Sequence, residues 1–317
     1  MKPHFCTQHR FVPVCVTALA IGLSLQAGAR AADPLAQIKE RGVLRHLGIP
    51  YANFVTGMGD GMDVELAKMF AAHLGVRYEY VPSSWDTVIS DLSGKVVKVV
   101  DGKVEIVSEC KPKGDMVASG LTILPWRKEV VDFSEPTFPT QVWLLAPSES
   151  GVKPIKPSGR LETDIIAVKK LMTGHTVLGK LKCCLDPSLY KLSETGANIR
   201  LFDGNLNELA PAIIQGEAEL TLLDVADVLI ALRKWPGRIK VIGPICQPQE
   251  MGCAFAKDAG ELRAEFNRFL NRCYRDGTYE RLLRKYYPAI VNYYPRFFAG
   301  KVAPSSTQPG DRITAQE

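Results

Sequence analysis

The sequence lacks the motifs that mark several common functional classes. It has neither a GxSxG nucleophile elbow nor a GxxxxGK[ST] phosphate-binding loop, so it carries no signature of an α/β-hydrolase or a P-loop nucleotidase. It has no CxxC pair, and its histidines fall in unrelated segments, so we expect no metal site. The glycines within 57–61 have the wrong spacing for a dinucleotide-binding loop and indicate a turn. We therefore expect no cofactor, no catalytic residues and a protein that is not an enzyme.

The chain also lacks a large net charge and a second long apolar run. Its 317 residues are 46% hydrophobic and 23% charged, a composition typical of a chain that forms a hydrophobic core. Without residues 1–31, 36 basic residues stand against 34 acidic ones, a formal charge of +2. A charge this small does not favour nucleic-acid binding. Beyond residue 31 no stretch reaches the roughly 18 apolar residues that a membrane-spanning helix needs.

Residues 1–31 have the layout of a secretory signal. A short basic segment (1–10) precedes an apolar run (11–25), and Ala29-Arg30-Ala31 places small residues at −3 and −1 of a cleavage site. An uncleaved anchor is the alternative. We expect a cleaved signal peptide and a soluble, monomeric protein in the periplasm.

Six cysteines follow residue 31, and they are Cys110, Cys183, Cys184, Cys246, Cys253 and Cys273. An oxidising compartment permits disulfides, but six thiols allow fifteen pairings and the sequence does not select one. The adjacent Cys183 and Cys184 are not expected to bond with each other, because the resulting ring would be strained.

Hydrophobic periodicity in the first half predicts an α/β layer with a largely parallel sheet. The predicted helices are 35–41, 62–74 and 85–92, and the predicted strands are 42–49, 76–81 and 117–122. Two valine-rich segments within 95–113 flank Asp101-Gly102, a dipeptide typical of a tight turn. We expect a β-hairpin inserted at the edge of this layer. A solvated loop with no role in the chemistry is the alternative.

A second α/β pattern begins with a predicted strand at 142–145, and a Pro-, Ser- and Gly-rich connector at 147–159 follows it. The other predicted strands are 176–181, 219–223 and 240–243, and the predicted helices are 164–172, 205–215 and 225–233. Asn205 and Glu208 have the spacing of a capping box, although Pro211 limits the helix that follows. Two helices, the second at 279–286, close the pattern, and the composition of 299–317 predicts a disordered tail.

The segment 119–127 (Ser-Gly-Leu-Thr-Ile-Leu-Pro-Trp-Arg) stands out chemically. A strand here ends in small and hydroxylic residues, and a Pro-containing helical turn then carries an arginine. This arrangement can direct backbone N–H groups, one hydroxyl and a guanidinium at a carboxylate, which arginine matches in plane. A surface arginine on a turn is the alternative.

Five markers occur in order along the chain: IKERGVLR at 38–45, GMDVELA at 61–67, the segment 119–136, GEAEL at 216–220 and DGTY at 276–279. With these markers the chain resembles the bacterial extracellular solute-binding proteins of family 3, which are the polar-amino-acid receptors of ABC importers. The resemblance covers residues 35–290. It implies a small-molecule ligand and an inner-membrane ABC permease as partners.

The resemblance implies a type II periplasmic-binding-protein fold, with two α/β lobes joined by two crossover strands. Lobe 1 would comprise 32–140 plus 246–298, and lobe 2 would comprise 141–245. The ligand would lie in the cleft between the lobes, which closes on binding. The implied function is capture of a small zwitterionic solute, an amino acid or a derivative, and its delivery to the importer.

The resemblance also implies a set of ligand-binding residues. Arg127 matches the arginine that binds the α-carboxylate, and Thr122 matches the hydroxyl and N–H beside it. Gly120 falls where a backbone carbonyl meets the α-ammonium. Asp224 matches the second-lobe carboxylate that neutralises this ammonium. A zwitterion loses hydration at both charges on burial, so a cation and an anion at fixed separation would suit it.

Tyr51 and Trp85 match the two first-lobe positions that pack against the ligand side chain, and core packing is the alternative for both. The chain departs from the family pattern at 182–188, because Cys183-Cys184 stands where members commonly have a hydroxyl that helps to bind the carboxylate. It also has no acid just before Tyr51, which weakly disfavours a basic amino acid. Trp85 favours an apolar or flat side chain.

Two other functions remain open from the sequence. A few proteins similar to this family are cyclohexadienyl dehydratases, which need a cleft acid to protonate a leaving hydroxyl. Glu65 and Glu217 are the candidates by default, although both have the pattern of solvated surface residues. The chain could also be a ligand-sensing accessory subunit that docks another periplasmic protein.

Overall fold

The computed structural model describes Met1 and residues 33–57, 59–100 and 103–302. The predicted signal segment after Met1, the predicted turn at Asp101-Gly102 and residues 303–317 of the predicted tail lie outside the described residues, as does Met58. Within the described part, no helix combines the length and the apolar character that a membrane span requires.

The described chain alternates helices and strands. The helices are α1 (Pro34–Arg41), α2 (Met62–Leu74), α3 (Val88–Ser93), α4 (Pro125–Val130), α5 (Leu161–Lys170), α6 (Leu209–Ile214), α7 (Val225–Lys234), α8 (Gly260–Arg275), α9 (Thr278–Tyr286), α10 (Ile290–Tyr293) and α11 (Pro295–Phe298). The strands are β1 (Val43–Gly48), β2 (Arg77–Pro82), β3 (Lys95–Val100), β4 (Lys103–Glu109), β5 (Met116–Val117), β6 (Val131–Phe133), β7 (Phe138–Thr140), β8 (Val142–Pro147), β9 (Thr176–Gly179), β10 (Asn198–Leu201), β11 (Leu220–Asp224), β12 (Ile239–Pro244), β13 (Gln249–Met251) and β14 (Ala254–Ala256).

The first five-stranded sheet has the order β2-β1-β5-β14-β6. Strand β1 pairs in parallel with β2 and β5, whereas β14 pairs antiparallel with β5 and β6. Five of the six residues of β1 are buried, as expected for a parallel strand with helices packed on its sheet. On the helical side, Phe70 of α2 meets Phe266 of α8 edge to face with ring centroids 5.0 Å apart.

The second five-stranded sheet has the order β10-β9-β11-β8-β12. Strands β9, β10 and β11 run parallel, and β8 pairs antiparallel with both β11 and β12. All five residues of β11 are buried, and the strand leads directly into α7. The buried carboxyl end of β11 therefore faces the loops at one end of this sheet.

Two short strands connect the two sheets. Strand β7 leaves the first sheet and β13 returns to it, and the two pair antiparallel with Thr140 opposite Gln249 and Phe138 opposite Met251. The sequence-predicted architecture of two α/β units joined by two crossover strands matches this arrangement.

Strands β3 and β4 form a separate antiparallel hairpin, as the valine-rich segments of 95–113 predict. Its pairing contains one irregularity between Val96 and Val97. The apolar side chains of Val99, Ile106 and Val107 are exposed to solvent. Val97 and Val104 are partly buried against the core, so the hairpin is covered on one side only in part.

Several predicted boundaries differ from the structure. The strand predicted over 117–122 ends at Val117, because Gly120 has φ +59°, a left-handed conformation that interrupts a strand. The helix predicted from 85 begins at Val88, after a turn in which the Val88 N–H bonds the Ser84 carbonyl. Residues 299–302 of the predicted tail are placed against the fold, where Lys301 donates to the Pro136 carbonyl.

The predicted capping box is confirmed. Asn205 accepts from the Asn207 N–H, and the Glu208 carboxylate accepts from the Asn205 N–H. The first turn after this cap is a tight 3-10 turn over Leu206–Glu208, and α6 begins only at Leu209. Pro211 therefore sits in the first turn of α6, where no intrahelical donor is lost.

We expect Phe138→Ala to destabilise the fold by about 3–5 kcal/mol, because Phe138 is buried in a crossover strand between two aromatic rings. Its ring centroid lies 5.0 Å from that of Phe54 and 4.8 Å from that of Tyr287. Urea unfolding would measure the loss. Tyr293→Ala, at a side chain 58% exposed, is the control and should change the free energy of unfolding by less than about 0.5 kcal/mol. A loss below about 1 kcal/mol for Phe138→Ala would contradict this account.

Candidate functional site

The six sequence-predicted site residues are all buried in the structure, and they are Tyr51, Trp85, Gly120, Thr122, Arg127 and Asp224. They lie on segments that leave the ends of strands in both sheets. The end of β1 is joined to the segment after β5 by a bond from the Ile49 N–H to Ser119 Oγ, 3.0 Å. The site is thus formed where loops of the first sheet meet β11 and the segment after β9.

Arg127 is a deeply buried cation. Only 1% of it is exposed, although it lies in the short helix α4. Its Nη1 donates to the Thr122 carbonyl at 2.9 Å and its Nη2 donates to the Lys182 carbonyl at 3.2 Å. Its Nε has no hydrogen-bond partner, and no described carboxylate forms an ion pair with it. Burial lowers the pKa of Arg127 from its usual value, which expresses the cost of removing this charge from water.

The loop before Arg127 is shaped by Gly120 and Asp63. Asp63 Oδ2 accepts from the Gly120 N–H at 2.7 Å. A Cβ at Gly120 would lie 2.4 Å from the ring of Phe54, so both the φ of +59° and the close packing require glycine. The hydroxyl of Thr122, two residues later, is buried without a partner. The loop therefore directs an unpaired hydroxyl and an unpaired guanidinium N–H into the interior.

Asp224 joins the two sheets through Tyr51. It ends β11 and caps α7, with Oδ1 accepting from the Asp227 N–H at 3.3 Å. Its Oδ2 accepts from the Tyr51 hydroxyl and from Cys184 Sγ, the latter at 3.5 Å. Burial raises the pKa of Asp224, while the bonds from Tyr51, Asp227 and Cys184 act in the opposite direction. Burial also raises the pKa of Asp227, whose Oδ2 is unpaired.

Aromatic rings surround the phenol of Tyr51. Trp85 meets it edge to face at a centroid distance of 5.4 Å, and Phe54 stacks on it at 6.1 Å. Both predicted aromatic positions are therefore in contact with each other, as core packing would also require.

The segment 182–184 brings the second sheet to Arg127. Lys182 has φ +60°, which turns its carbonyl toward the guanidinium, and the carbonyl of Cys184 accepts from the Tyr190 hydroxyl. The neighbouring Cys183 thiol and burial together raise the pKa of Cys184 well above its usual value. All six cysteines after residue 31 are free thiols.

Several residues at the site were not predicted from the sequence. Asp63 lies in the marker at 61–67, which was the available signal, but its bond to Gly120 was not foreseen. Cys184 was noted only as a departure, yet its thiol touches Asp224. A second contact between the sheets, from the Ala52 N–H to Asn207 Oδ1 at 2.9 Å, had no signal in the sequence.

The two default acids lie away from the site. Glu65 accepts from Lys285 and Tyr286 at the surface, with both bonds 2.5 Å long. Glu217 has 43% of its side chain exposed and lies 3.8 Å from Arg200. Neither carboxyl group is placed to protonate a leaving group beside Arg127.

No group of three or more His, Cys, Asp or Glu side chains among the described residues is arranged to hold a metal ion. A cavity of about 890 Å³ lies at the end of the second sheet opposite Asp224, where its lining includes Pro147, His175 and Glu219. None of the six predicted residues lines it. The charged groups of the candidate site are Arg127 and the buried carboxyl groups of Asp63, Asp224 and Asp227, and the aromatic rings of Tyr51 and Trp85 lie beside them.

A family model described as bacterial extracellular solute-binding proteins, family 3, matches residues 106–289. The L-cystine-binding protein TcyJ of Escherichia coli strain K12 is 26% identical over 297 residues, which cover 92% of this chain and 99% of that protein. A membrane-bound lytic murein transglycosylase F of Desulfosudis oleivorans is 27% identical over 233 residues, which cover 73% of this chain. The match spans only 44% of the length of that transglycosylase.

Solved structures show the same fold. The ancestral amino acid-binding protein AncCDT-1, described as a precursor of cyclohexadienyl dehydratase, aligns with a TM-score of 0.63 and 26% identity, covering 81% of this chain and 100% of that one. An ancestral arginine-binding protein bound to arginine aligns with a TM-score of 0.62 and 25% identity, covering 78% and 99%. The predicted family and the predicted type II binding-protein fold are both confirmed.

We expect Asp63→Asn to stabilise the protein increasingly as the pH rises. Burial raises the pKa of Asp63 to about 7, above its usual 3.8, so the folded state binds this proton more tightly than the unfolded state. The tighter binding of this proton stabilises the folded state in full below pH 4, and this stabilisation is lost as the pH rises toward 7. The asparagine can still accept from Gly120, so it should gain up to about 4 kcal/mol at pH 8 and little at pH 4.

Urea unfolding of both proteins from pH 4 to 8 would measure this difference. Other buried titrating groups are common to the two proteins and cancel in the comparison, among them His46, whose pKa burial lowers to about 4. The exposed Asp203→Asn is the matched control and should show no such trend. A difference between Asp63→Asn and the parent protein that stays constant with pH would refute the assignment.

Proposed function

Because the chain belongs to the bacterial extracellular solute-binding proteins of family 3, we propose that it captures a small carboxylate-bearing solute, an amino acid or a derivative. The single observation that carries this proposal is the buried Arg127, which has an unpaired Nε and no carboxylate partner among the described residues. A buried cation that bonds only neutral carbonyls is costly, and a carboxylate offsets that cost best. The unpaired hydroxyl of Thr122 is a second donor for the same anion.

We propose that the two lobes, 32–140 plus 246–298 and 141–245, close around this solute. Four polar contacts among the described residues join the two lobes at the site. They are Tyr51 to Asp224, Arg127 to the Lys182 carbonyl, the Ala52 N–H to Asn207, and the ion pair of Lys182 with Asp86 at 3.3 Å. The paired crossover strands β7 and β13 are the segments that would bend. A ligand that binds between Arg127 and the second lobe favours the closed form, because only that form offers it both surfaces.

We propose export through the segment 1–31, a periplasmic location, and delivery of the solute by the monomeric protein to an inner-membrane ABC permease. The family to which the chain belongs supports the extracellular or periplasmic location. A relative named as an L-cystine-binding protein matches the chain over almost its whole length and supports an amino acid or a derivative as the solute.

We propose binding rather than catalysis. The surface positions of Glu65 and Glu217 remove both default acids of a dehydratase from the neighbourhood of Arg127. Incubation with prephenate and analysis of the products is the direct check, and turnover that is lost in Arg127→Ala would replace the binding proposal by an enzymatic one.

We expect Arg127→Ala to abolish solute binding, at a loss of roughly 3–5 kcal/mol, because the buried carboxylate of the ligand would lack its counter-charge. A thermal-shift screen of the purified protein against L-amino acids, their derivatives and small carboxylates would first identify a ligand. At 100 times Kd, binding adds about 2.7 kcal/mol, which appears as a rise of a few degrees in Tm.

The exposed Arg233→Ala is the matched control for the charge and should retain the shift. A hit with the same affinity in Arg127→Ala and in the parent protein would place the solute elsewhere and refute this site.

A further inference from the structure

We infer that the solute is a carboxylic acid without an ammonium group, rather than a free α-amino acid. This inference rests on the proposed function and narrows its ligand class. It follows from a contrast between the two charged ends of the site. The cationic end at Arg127 still has donors to offer, whereas the anionic end at Asp224 is already occupied by side chains and backbone of the protein.

The end at Arg127 lacks an anion. Its Nη1 and Nη2 bond neutral carbonyls, its Nε has no partner, and the Thr122 hydroxyl nearby is unpaired. The ring of Trp126 lies 5.3 Å from the guanidinium carbon, which stabilises a cation but does not neutralise it. A carboxylate from the solute would supply the missing charge and acceptors for both unpaired donors.

Both oxygens of Asp224 already accept hydrogen bonds from neutral donors. Oδ2 accepts from the Tyr51 hydroxyl and from the Cys184 thiol, and Oδ1 accepts from the Asp227 N–H. An ammonium group bound to Oδ2 would displace the Tyr51 hydroxyl, whose buried oxygen would then lose its acceptor. The neighbouring Asp227 has an unpaired Oδ2, but burial and the charge of Asp224 raise the pKa of Asp227 and favour its neutral form, which does not attract an ammonium group.

The Tyr51 hydroxyl is held in place by its surroundings. The phenol ring is fixed between Trp85 and Phe54, and only 1% of the residue is exposed. Its displacement from Asp224 would therefore require repacking of an aromatic cluster. Amine-free ligands avoid this cost, because they leave the contact between Tyr51 and Asp224 intact.

Cys184 extends the same argument to the second lobe. Its thiol donates to Asp224 Oδ2 at 3.5 Å, and an ammonium group bound to this oxygen would have to replace this weak hydrogen bond as well.

Matched ligand pairs test the inference by isothermal titration calorimetry on the purified protein. Suitable pairs are L-phenylalanine with 3-phenylpropanoate, L-tyrosine with 3-(4-hydroxyphenyl)propanoate, and L-leucine with 4-methylpentanoate, since the aromatic surface favours apolar side chains. We expect the amine-free member of at least one pair to bind ten-fold or more tightly than its partner, with binding lost in Arg127→Ala.

Tyr51→Phe provides the second measurement. It removes the hydroxyl from Asp224 but keeps the ring, so it should shift the ratio of the two affinities in a pair at least ten-fold toward the amino acid. Tyr293→Phe removes a phenol hydroxyl from an exposed residue and should leave the ratio unchanged. A melting curve of each variant verifies that it is folded.

The outcomes separate the inference from the proposed function. If amino acids bind as tightly as their amine-free partners, or within ten-fold of them, and Arg127→Ala abolishes that binding, the inference is overturned and the proposed function stands. An unchanged ratio in folded Tyr51→Phe also overturns the inference. If no ligand of the thermal-shift screen and no member of any pair binds in a manner that depends on Arg127, the proposed function fails and the inference fails with it.

Discussion

The structure depends on how it accommodates the charge of one buried arginine. Arg127 is removed from water, and its compensation comes from the carbonyls of Thr122 and Lys182 together with the ring of Trp126. One of these carbonyls belongs to the segment after β9 in the second sheet. Burial of Arg127 therefore depends on contact between the sheets, because separating the two sheets would remove the Lys182 carbonyl, one of the few groups that stabilise the charge.

Two buried carboxylates shape the surroundings of that cation. Asp63 accepts a hydrogen bond from the Gly120 N–H and so stabilises that loop. Asp224 accepts one from the Asp227 N–H and so stabilises the start of α7. Each carboxylate thus has a structural bond to the backbone that is independent of any solute. Asp224 in addition accepts from two side chains, those of Tyr51 and Cys184. It therefore differs from Arg127, although the resemblance implies that the two residues bind the two charges of a zwitterion.

The extent of the sequence prediction follows from what each pattern encodes. The helix over Met62–Leu74 was predicted with both ends, because its apolar face and the following Gly75 are local signals. The capping box at Asn205 is local in the same way. The strand predicted over 117–122 was too long, because the φ of Gly120 is imposed by Asp63 and Phe54, which lie more than 50 residues earlier.

The site residues could be proposed only through the family resemblance, because periodicity carries no information about contacts between distant loops. Tyr51 and Asp224 are 173 residues apart, and their bond depends on the packing of two sheets. The inward orientation of the Cys184 thiol could not be predicted from the sequence either. It follows the left-handed conformation of Lys182, which no rule of composition requires. The resemblance thus predicts a set of site residues, and packing determines which of their hydrogen bonds the protein already makes.

The same distinction bears on the proposed coupling between closure and binding. Contacts between protein groups, from Tyr51 to Asp224 and from the Ala52 N–H to Asn207, already join the two sheets. A ligand shifts an equilibrium only by its differential affinity for the two forms. Because Asp224 is bonded within the protein, neutralisation of Arg127 is the largest differential contribution left for a solute in the proposed closure. In the proposed mechanism an anionic group therefore controls closure, and the remainder of the solute controls selectivity through the aromatic surface of Tyr51 and Trp85.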